Sequence, residues 1–234
     1  MSIILCVSVN KREYTFPLDD CHGGSNKAGT TPQISATLKK TSFVTGMDGS
    51  DGGAIYFSGS KYSYAELKNA GSALDTGINL SILMHVRPVA LGKTQCLLRY
   101  MSKTGGVSLY ITKSNLIEFH LVQRGKTRVT KIRAAAGVLE LGKWSYIAVV
   151  YSDAFGKATV YVNKTQEQEV SLTVKPLGTA GNVRLGGYKN DVYNGDMACL
   201  QIFHNSLTKS EVESKANCDL RECLHLLIFY FLLP

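Results

Sequence analysis

Apolar and polar residues alternate in short bursts along this chain, and the densest burst lies between residues 137 and 163. Residues 144–151 (WSYIAVVY) are nearly all apolar or aromatic, and residues 157–162 (KATVYV) repeat that character after the connection SDAFG. β-Branched and aromatic side chains suit a pleated surface, and a short connection holding a glycine turns the chain back on itself. The pair predicts a β-hairpin. The unbroken apolar run of its first strand predicts burial on both faces, as inside two packed sheets. Further strands are expected at 53–59, 80–88, 182–188 and 195–203, followed by an amphipathic segment at 207–214. Short strands at fairly even spacing, with 22 glycines and few helix-period stretches, predict an all-β chain. The expected architecture is a two-sheet antiparallel jelly-roll sandwich with a short C-terminal helix.

Several motifs follow one another along these strands. Gly142-Lys143-Trp144 opens an apolar strand, and Tyr161-Val162-Asn163 closes the next. Val183-Arg184-Leu185-Gly186-Gly187 comes later, and then Leu207-Thr208 leading into Glu211-Val212. Upstream lie GAIYFSG at 53–59 and LSILMHVRP at 80–88. In this order they resemble the laminin-G-like and pentraxin-like domains of the concanavalin A-type jelly rolls. The resemblance spans about residues 14–216 and departs from the family pattern at His85, where an aromatic is usual. It implies the fold far more than the function, because one fold hosts many functions.

A chain of 234 residues, 44% of them hydrophobic, is suited to a single all-β domain. The polar, glycine-rich stretches at 19–31 and 46–53 read as connections inside it. The expected division is an N-terminal segment at 1–13, a jelly-roll domain at 14–216 and an apolar tail at 217–234. The first segment reads as an edge strand or a truncated signal sequence. The residues at 224–234 (LHLLIFYFLLP) would extend only about 16 Å as a helix, roughly half a bilayer core. They cannot span a membrane alone. A lipid-anchor attachment signal, a truncated membrane helix and a gene-prediction artefact account for them equally well. Membrane contact is expected only if the tail is an anchor.

Six cysteines stand at positions 6, 21, 96, 199, 218 and 223, without zinc-site spacing. Cys96 and Cys199 fall in strands and read as buried thiols. Cys21 and Cys218 lie in polar segments near the two ends of the domain, and the ends of one domain often lie close together. A bridge between them would imply an oxidising compartment. Two glycosylation sequons, at Asn79 and Asn163, are compatible with secretion.

Catalytic patterns are missing. The paired carboxylates of sandwich glycosidases have no counterpart beyond Glu167 and Glu169, whose polar neighbours suggest a solvated strand edge. His22, His85, His120, His204 and His225 are scattered singly; His85 and His120 read as ordinary strand positions. Charge is more informative. Residues 93–143 hold ten basic side chains against Glu118 and Glu140, an excess equal to the whole chain's +8. The densest part runs QRGKTRVTKIR at 123–133, read as a tight turn at Gly125-Lys126 between two strands. Arg124, Lys126, Arg128, Lys131 and Arg133 would form a basic rim, with Arg128 facing opposite to Lys131 and Arg133. Such a rim serves either as a solvated edge that blocks strand-to-strand association or as a docking surface for sulfated glycans and other polyanions. No nucleic-acid motif accompanies it.

The resemblance adds one further expectation. Domains of this group often bind calcium at one edge of the sandwich, and calcium needs several oxygens to converge. Asp19, Asp20, Asp48, Asp51, Asn190 and Asp191 are the candidates, although Ala198 and Cys199 stand where the family's last strand often carries acids. The chain therefore reads as an extracellular, secreted, non-enzymatic recognition domain for carbohydrate or a glycosylated protein, with calcium as its one candidate cofactor. The alternatives are a structural or adhesion module without glycan affinity, and a degenerate glycoside hydrolase.

Overall fold

The computed structural model describes residues 12–27, 32–103, 105–135, 139–173 and 176–218. The expectations for residues 1–11 and for the tail from 219 lie outside the described residues, as do Cys6, Cys223 and His225.

The chain is almost entirely strand. It opens with β1 (Glu13–Phe16), β2 (Ala36–Lys39), β3 (Thr41–Val44), β4 (Ala54–Ser58), β5 (Tyr64–Leu67) and β6 (Asn79–Pro88). The middle supplies β7 (Gln95–Ser102), β8 (Gly105–Ile111), β9 (Ile117–Val122), β10 (Val129–Arg133), β11 (Ser145–Ser152) and β12 (Lys157–Val162). Then come β13 (Thr165–Ser171), β14 (Val183–Leu185), β15 (Gly187–Tyr188), β16 (Asp191–Val192), β17 (Asn194–Phe203) and the helix α1 (Lys209–Ser214). The first sheet has the order β13-β12-β11-β6-β17-β4-β3, with β1 pairing the stretch of β17 that β4 leaves. The second has the order β10-β9-β8-β7-β14-β5-β2. Both are antiparallel. This is the expected jelly-roll sandwich with its short helix.

Period-two alternation builds the core. Leu80, Ile82, Met84 and Val86 of β6 face inward and share one core with Ile117, Phe119 and Leu121 of β9 in the other sheet. Each such side chain, fully buried, contributes roughly 1.5–3 kcal/mol. The hairpin read from the sequence is β11–β12, and β11 is buried along its whole length as its apolar run requires.

That burial has a second cause. The outer face of the first sheet is covered by the strap that follows β17. Leu83, Tyr146, Ala148, Val150 and Tyr161 pack beneath Leu207, Val212 and Ala216 in a smaller apolar cluster. Leu207 N–H donates to Ser81 Oγ (2.9 Å), and Tyr146 O–H donates to the Val212 carbonyl (2.8 Å). The Leu-Thr-x-x-Glu motif turns out to be a capping box. Thr208 N–H donates to Glu211 Oε2 (2.8 Å), and Glu211 N–H donates to Thr208 Oγ1 (3.3 Å). Two donors left open at the helix start are thereby satisfied. On the outer face of the second sheet the small β15–β16 hairpin packs against β7, with the Arg99 guanidinium 3.9 Å from the Tyr188 ring centre, while β9 and β10 present the polar side chains of Glu118, His120, Lys131 and Arg133.

Four expectations are corrected. Cys218 bonds to Cys199 (Cα–Cα 6.0 Å), not to Cys21. A register shift between Ala198 and Gln201, with Cys199 at φ 51°, lifts Cys199 out of the strand alternation and toward the returning strap. Cys199 is therefore not a buried thiol, whereas Cys96 is. The stretch 182–188 is split at Gly186, whose φ is 88°. A Cβ there would collide with the Phe57 ring and lie 3.0 Å from the Ser63 carbonyl oxygen. Finally, the turn between β9 and β10 is longer than the tight turn expected, so Arg128 sits in the connection and not on a strand. Among the described residues no helix is long and apolar enough to cross a membrane.

Candidate functional site

On β9 the sequence IEFHLV alternates inward apolar residues with Glu118 and His120 on the outer face. Strand register sets their neighbours. Arg133 of β10 and Tyr110 of β8 flank Glu118, while Lys131 and Ser108 flank His120. The six side chains form a compact block on the outer face of the second sheet, at its β10 edge.

Glu118 is its centre. Although buried (6% exposed), it is fully engaged. Arg133 donates from Nε and Nη2 to Oε2 (2.9 and 2.6 Å), and His120 Nε2–H donates to Oε1 (2.6 Å). Lys131 Nζ stands 3.6 Å from Oε1. Burial alone would raise the Glu118 pKa, but the hydrogen bonds from His120 and Arg133 outweigh it and hold the carboxyl below its ordinary value. Burial lowers the His120 pKa against the pull of Glu118, so its ring is neutral near pH 7. The Tyr110 ring packs against that ring at 4.6 Å between centroids. Burial pushes the Tyr110 phenol up to about 12, leaving it protonated. Beside it on β7, burial pushes the Cys96 thiol up to about 12, which makes it an unreactive thiol.

These groups line a pocket of about 390 Å³, with Asp191 of the β15–β16 hairpin on its far side. Such a volume falls within the range of small-ligand sites. Glu118, His120 and Arg133 are held in it by their mutual hydrogen bonds, with the Tyr110 ring alongside. Beside it a second cleft of about 640 Å³ runs along the open edge of the sandwich, between β10 and the end of β13. Lys126, Arg128 and Lys131 line it, facing Ser171 and Thr173. Lys131 belongs to both clefts and joins them.

The five cations of the sequence-predicted rim therefore part company. Lys131 and Arg133 converge on the pocket, and Lys126 and Arg128 join Lys131 in the groove. Arg124 turns away. Its guanidinium pairs with Asp75 (3.0 and 3.1 Å) and donates to the Leu177 carbonyl (3.0 Å). His120 and Glu118, which read as an ordinary strand position and a stray acid, are the groups that organise the site. Tyr110 and Asp191 were equally unmarked as partners of these cations.

The remaining candidates lie elsewhere. Glu169 pairs with Lys157 (2.7 Å) on the exposed edge strand β13. Asn79 accepts from Asp153 N–H (3.0 Å), and the exposed Asn163 accepts from Tyr146 N–H (3.0 Å). Both use Oδ1, so the amide nitrogen that carries a glycan is not consumed by either bond. The calcium candidates divide between two places. Asp19 accepts from His22, and Asp48 accepts from Ser50 N–H and Oγ–H, the latter holding its pKa down. Asp191 stands apart in the polar pocket. Among the described residues no three His, Cys, Asp or Glu side chains gather as a metal site requires.

A laminin G family model of the concanavalin A-like lectin/glucanases superfamily matches residues 57–213, and the chain belongs to that family. A search of curated proteins finds no match to the sequence. Among solved structures, the binding domain of Paraclostridial Mosquitocidal Protein 1 superposes with a TM-score of 0.69 at 15% identity, covering 87% of this chain and 51% of that one. The binding domain of Botulinum Neurotoxin DC, solved in complex with SialylT, gives 0.68 at 13% identity, with 88% and 51% covered. The Botulinum Neurotoxin serotype G binding domain gives 0.66 at 14%, with 87% and 50% covered. The chain spans about half the length of these structures, and the likeness is one of fold.

Proposed function

We propose that the protein is a non-catalytic, extracellular carbohydrate-recognition domain that binds an acidic, sulfated glycan, free or on a glycoprotein, across the pocket and the adjoining groove. One observation carries this reading: a fully engaged buried carboxylate fixes Arg133, His120 and Lys131 in one pocket, and Lys131 opens directly onto a cationic groove. Sugar hydroxyls need donors and acceptors in fixed directions, which the Glu118 block supplies. Sulfate or carboxylate groups need cations that are not already neutralised, and Lys126 and Arg128 have no acid within ion-pair distance among the described residues.

The engagement of Glu118 supports a binding role over catalysis. A general acid needs a raised pKa, and this carboxyl is held low. The Cys199–Cys218 bridge supports an oxidising compartment, hence the extracellular assignment. The SialylT complex of a structurally similar binding domain supports a glycan as ligand. Among the described residues no three His, Cys, Asp or Glu side chains gather as a metal site, which supports binding that survives chelation.

A glycan array with heparan and chondroitin sulfates, run with calcium and with chelator, tests the reading. Binding that persists in chelator, weakens with salt and is lost in H120A/K131A/R133A is the expected result. Absence of binding in both buffers would leave the adhesion-module alternative in its place, and turnover of a polysaccharide would revive the hydrolase.

A further inference from the structure

The end of the sandwich beside the groove carries a feature that glycan recognition does not use. Phe155, at the tip of the β11–β12 hairpin, is 76% exposed, and Ile78, just before β6, is 53% exposed. Both are large apolar side chains in contact with water. Val129, at the start of β10, is 43% exposed along the groove.

Hydrogen bonds tie these positions and the groove into one surface. Asp153 N–H donates to the Ile78 carbonyl (3.2 Å), so the hairpin tip rests on the loop before β6. Leu172 N–H donates to the Gly156 carbonyl (2.6 Å), tying the tip to the segment that lines the groove. Gln123 Nε2–H donates to the Thr173 carbonyl (3.1 Å), and Leu177 N–H donates to the Gly77 carbonyl (2.6 Å). Phe155 and Ile78 therefore stand at the same end as Lys126 and Arg128. Two nearby acids are paired with cations, Asp75 with Arg124 and Glu169 with Lys157, while Asp153 accepts a long hydrogen bond from the Tyr151 hydroxyl (3.4 Å).

We propose that this end docks on an anionic membrane surface, with Phe155 and Ile78 entering the headgroup–acyl boundary and Lys126 and Arg128 lying at the level of the lipid phosphates. The apolar residues project from loop tips and enclose no cavity, so a folded partner would have to supply the whole receiving pocket. A lipid interface deforms around such projections and favours apolar side chains that are collared by cations. Long cationic side chains reach phosphate while their stems stay near the apolar layer. The proposal goes beyond the glycan reading and shares with it only Lys126 and Arg128.

Sedimentation of the full chain with phosphatidylcholine vesicles, with and without about 25% phosphatidylserine, tests it. The expected result is binding to the anionic vesicles alone, reduced about tenfold or more in F155S/I78S, a loss equal to at least one decade of partition constant. K126A/R128A should weaken vesicle binding too. The apolar residues 224–234 are present in every variant, so vesicle binding that is unchanged in F155S/I78S would overturn the proposal. So would absence of binding by the wild type. Heparin retention, measured in parallel, separates the two readings: F155S/I78S should elute with the wild type, whatever the vesicles show. Both substitutions are at exposed positions, and an unchanged thermal unfolding midpoint checks that the variants fold.

Discussion

Replacing His85 with phenylalanine isolates one term in the pH dependence of stability. His85 lies on the outer face of β6 beneath the C-terminal strap, 8% exposed, with its ring 5.0 Å from that of Tyr146. Its Nδ1 has no hydrogen-bond partner among the described residues. Burial, with a smaller contribution from Lys164, lowers its pKa to about 4 against an ordinary 6.5. The depressed value means that folding favours the neutral ring, so its contribution is complete above pH 6.5 and is lost as pH falls through 4. Linkage gives a loss of about 1.4 kcal/mol at pH 5.5 and about 2.6 kcal/mol at pH 4.5. With a urea slope of about 2 kcal/mol/M, the midpoint should fall by about 1.3 M between pH 7.5 and 4.5 from this residue alone. His204, also lowered to about 4 by burial, shifts stability in the same direction, but it is present in both proteins and cancels in the comparison. Phenylalanine keeps the ring packing and cannot protonate. Urea unfolding of wild type and H85F at the two pH values should show the variant retaining about 2 kcal/mol or more of the stability that the wild type loses. Equal losses in the two proteins would refute the reasoning.

Other perturbations read different parts of the molecule. C199S/C218S opens a link between residues separated by 19 positions and should lose about 3 kcal/mol, read as a lower thermal midpoint and as earlier proteolysis beyond β17. C21S should leave the same bridge intact by mass spectrometry. R124A should lower stability by about 1 kcal/mol through loss of its partly exposed pair with Asp75, yet elute from heparin close to wild type, whereas K126A/R128A should elute at clearly lower salt with unfolding unchanged. Because the His120 pKa is lowered from its ordinary 6.5 and its protonation adds positive charge beside Lys131 and Arg133, heparin affinity should rise only on acidification below that value, and H120Q should flatten that rise on isothermal titration.

The strands read from the sequence, such as β4, β6, β11, β12 and β17, were legible because their signal is local. Continuous apolarity at 144–151 follows directly from burial on both faces, and the Leu-Thr-x-x-Glu motif is a complete local capping device. The bridge was not, because a bulge at Cys199 breaks the alternation from which its side-chain direction would be read. The site was only half legible. Its excess charge is visible in the chain, but Arg133 meets Glu118 through register across a connection whose length sequence reasoning underestimated. Glu118 and His120 sit two residues apart on a half-buried strand, a spacing that any strand with one polar face provides. Only the pairing of β8, β9 and β10 gives it meaning. Arg124 shows the converse, for a cation in a basic run can be committed to an acid far away in sequence.

The most direct test of the account is a titration of the isotopically labelled protein with a heparin oligosaccharide, followed by backbone amide shifts. The account predicts perturbations at His120, Lys126, Arg128, Lys131 and Arg133 that persist in chelator, with Leu83 and Val212 on the strap-covered face unmoved. Shifts confined to another face, or none at saturating oligosaccharide, would contradict it.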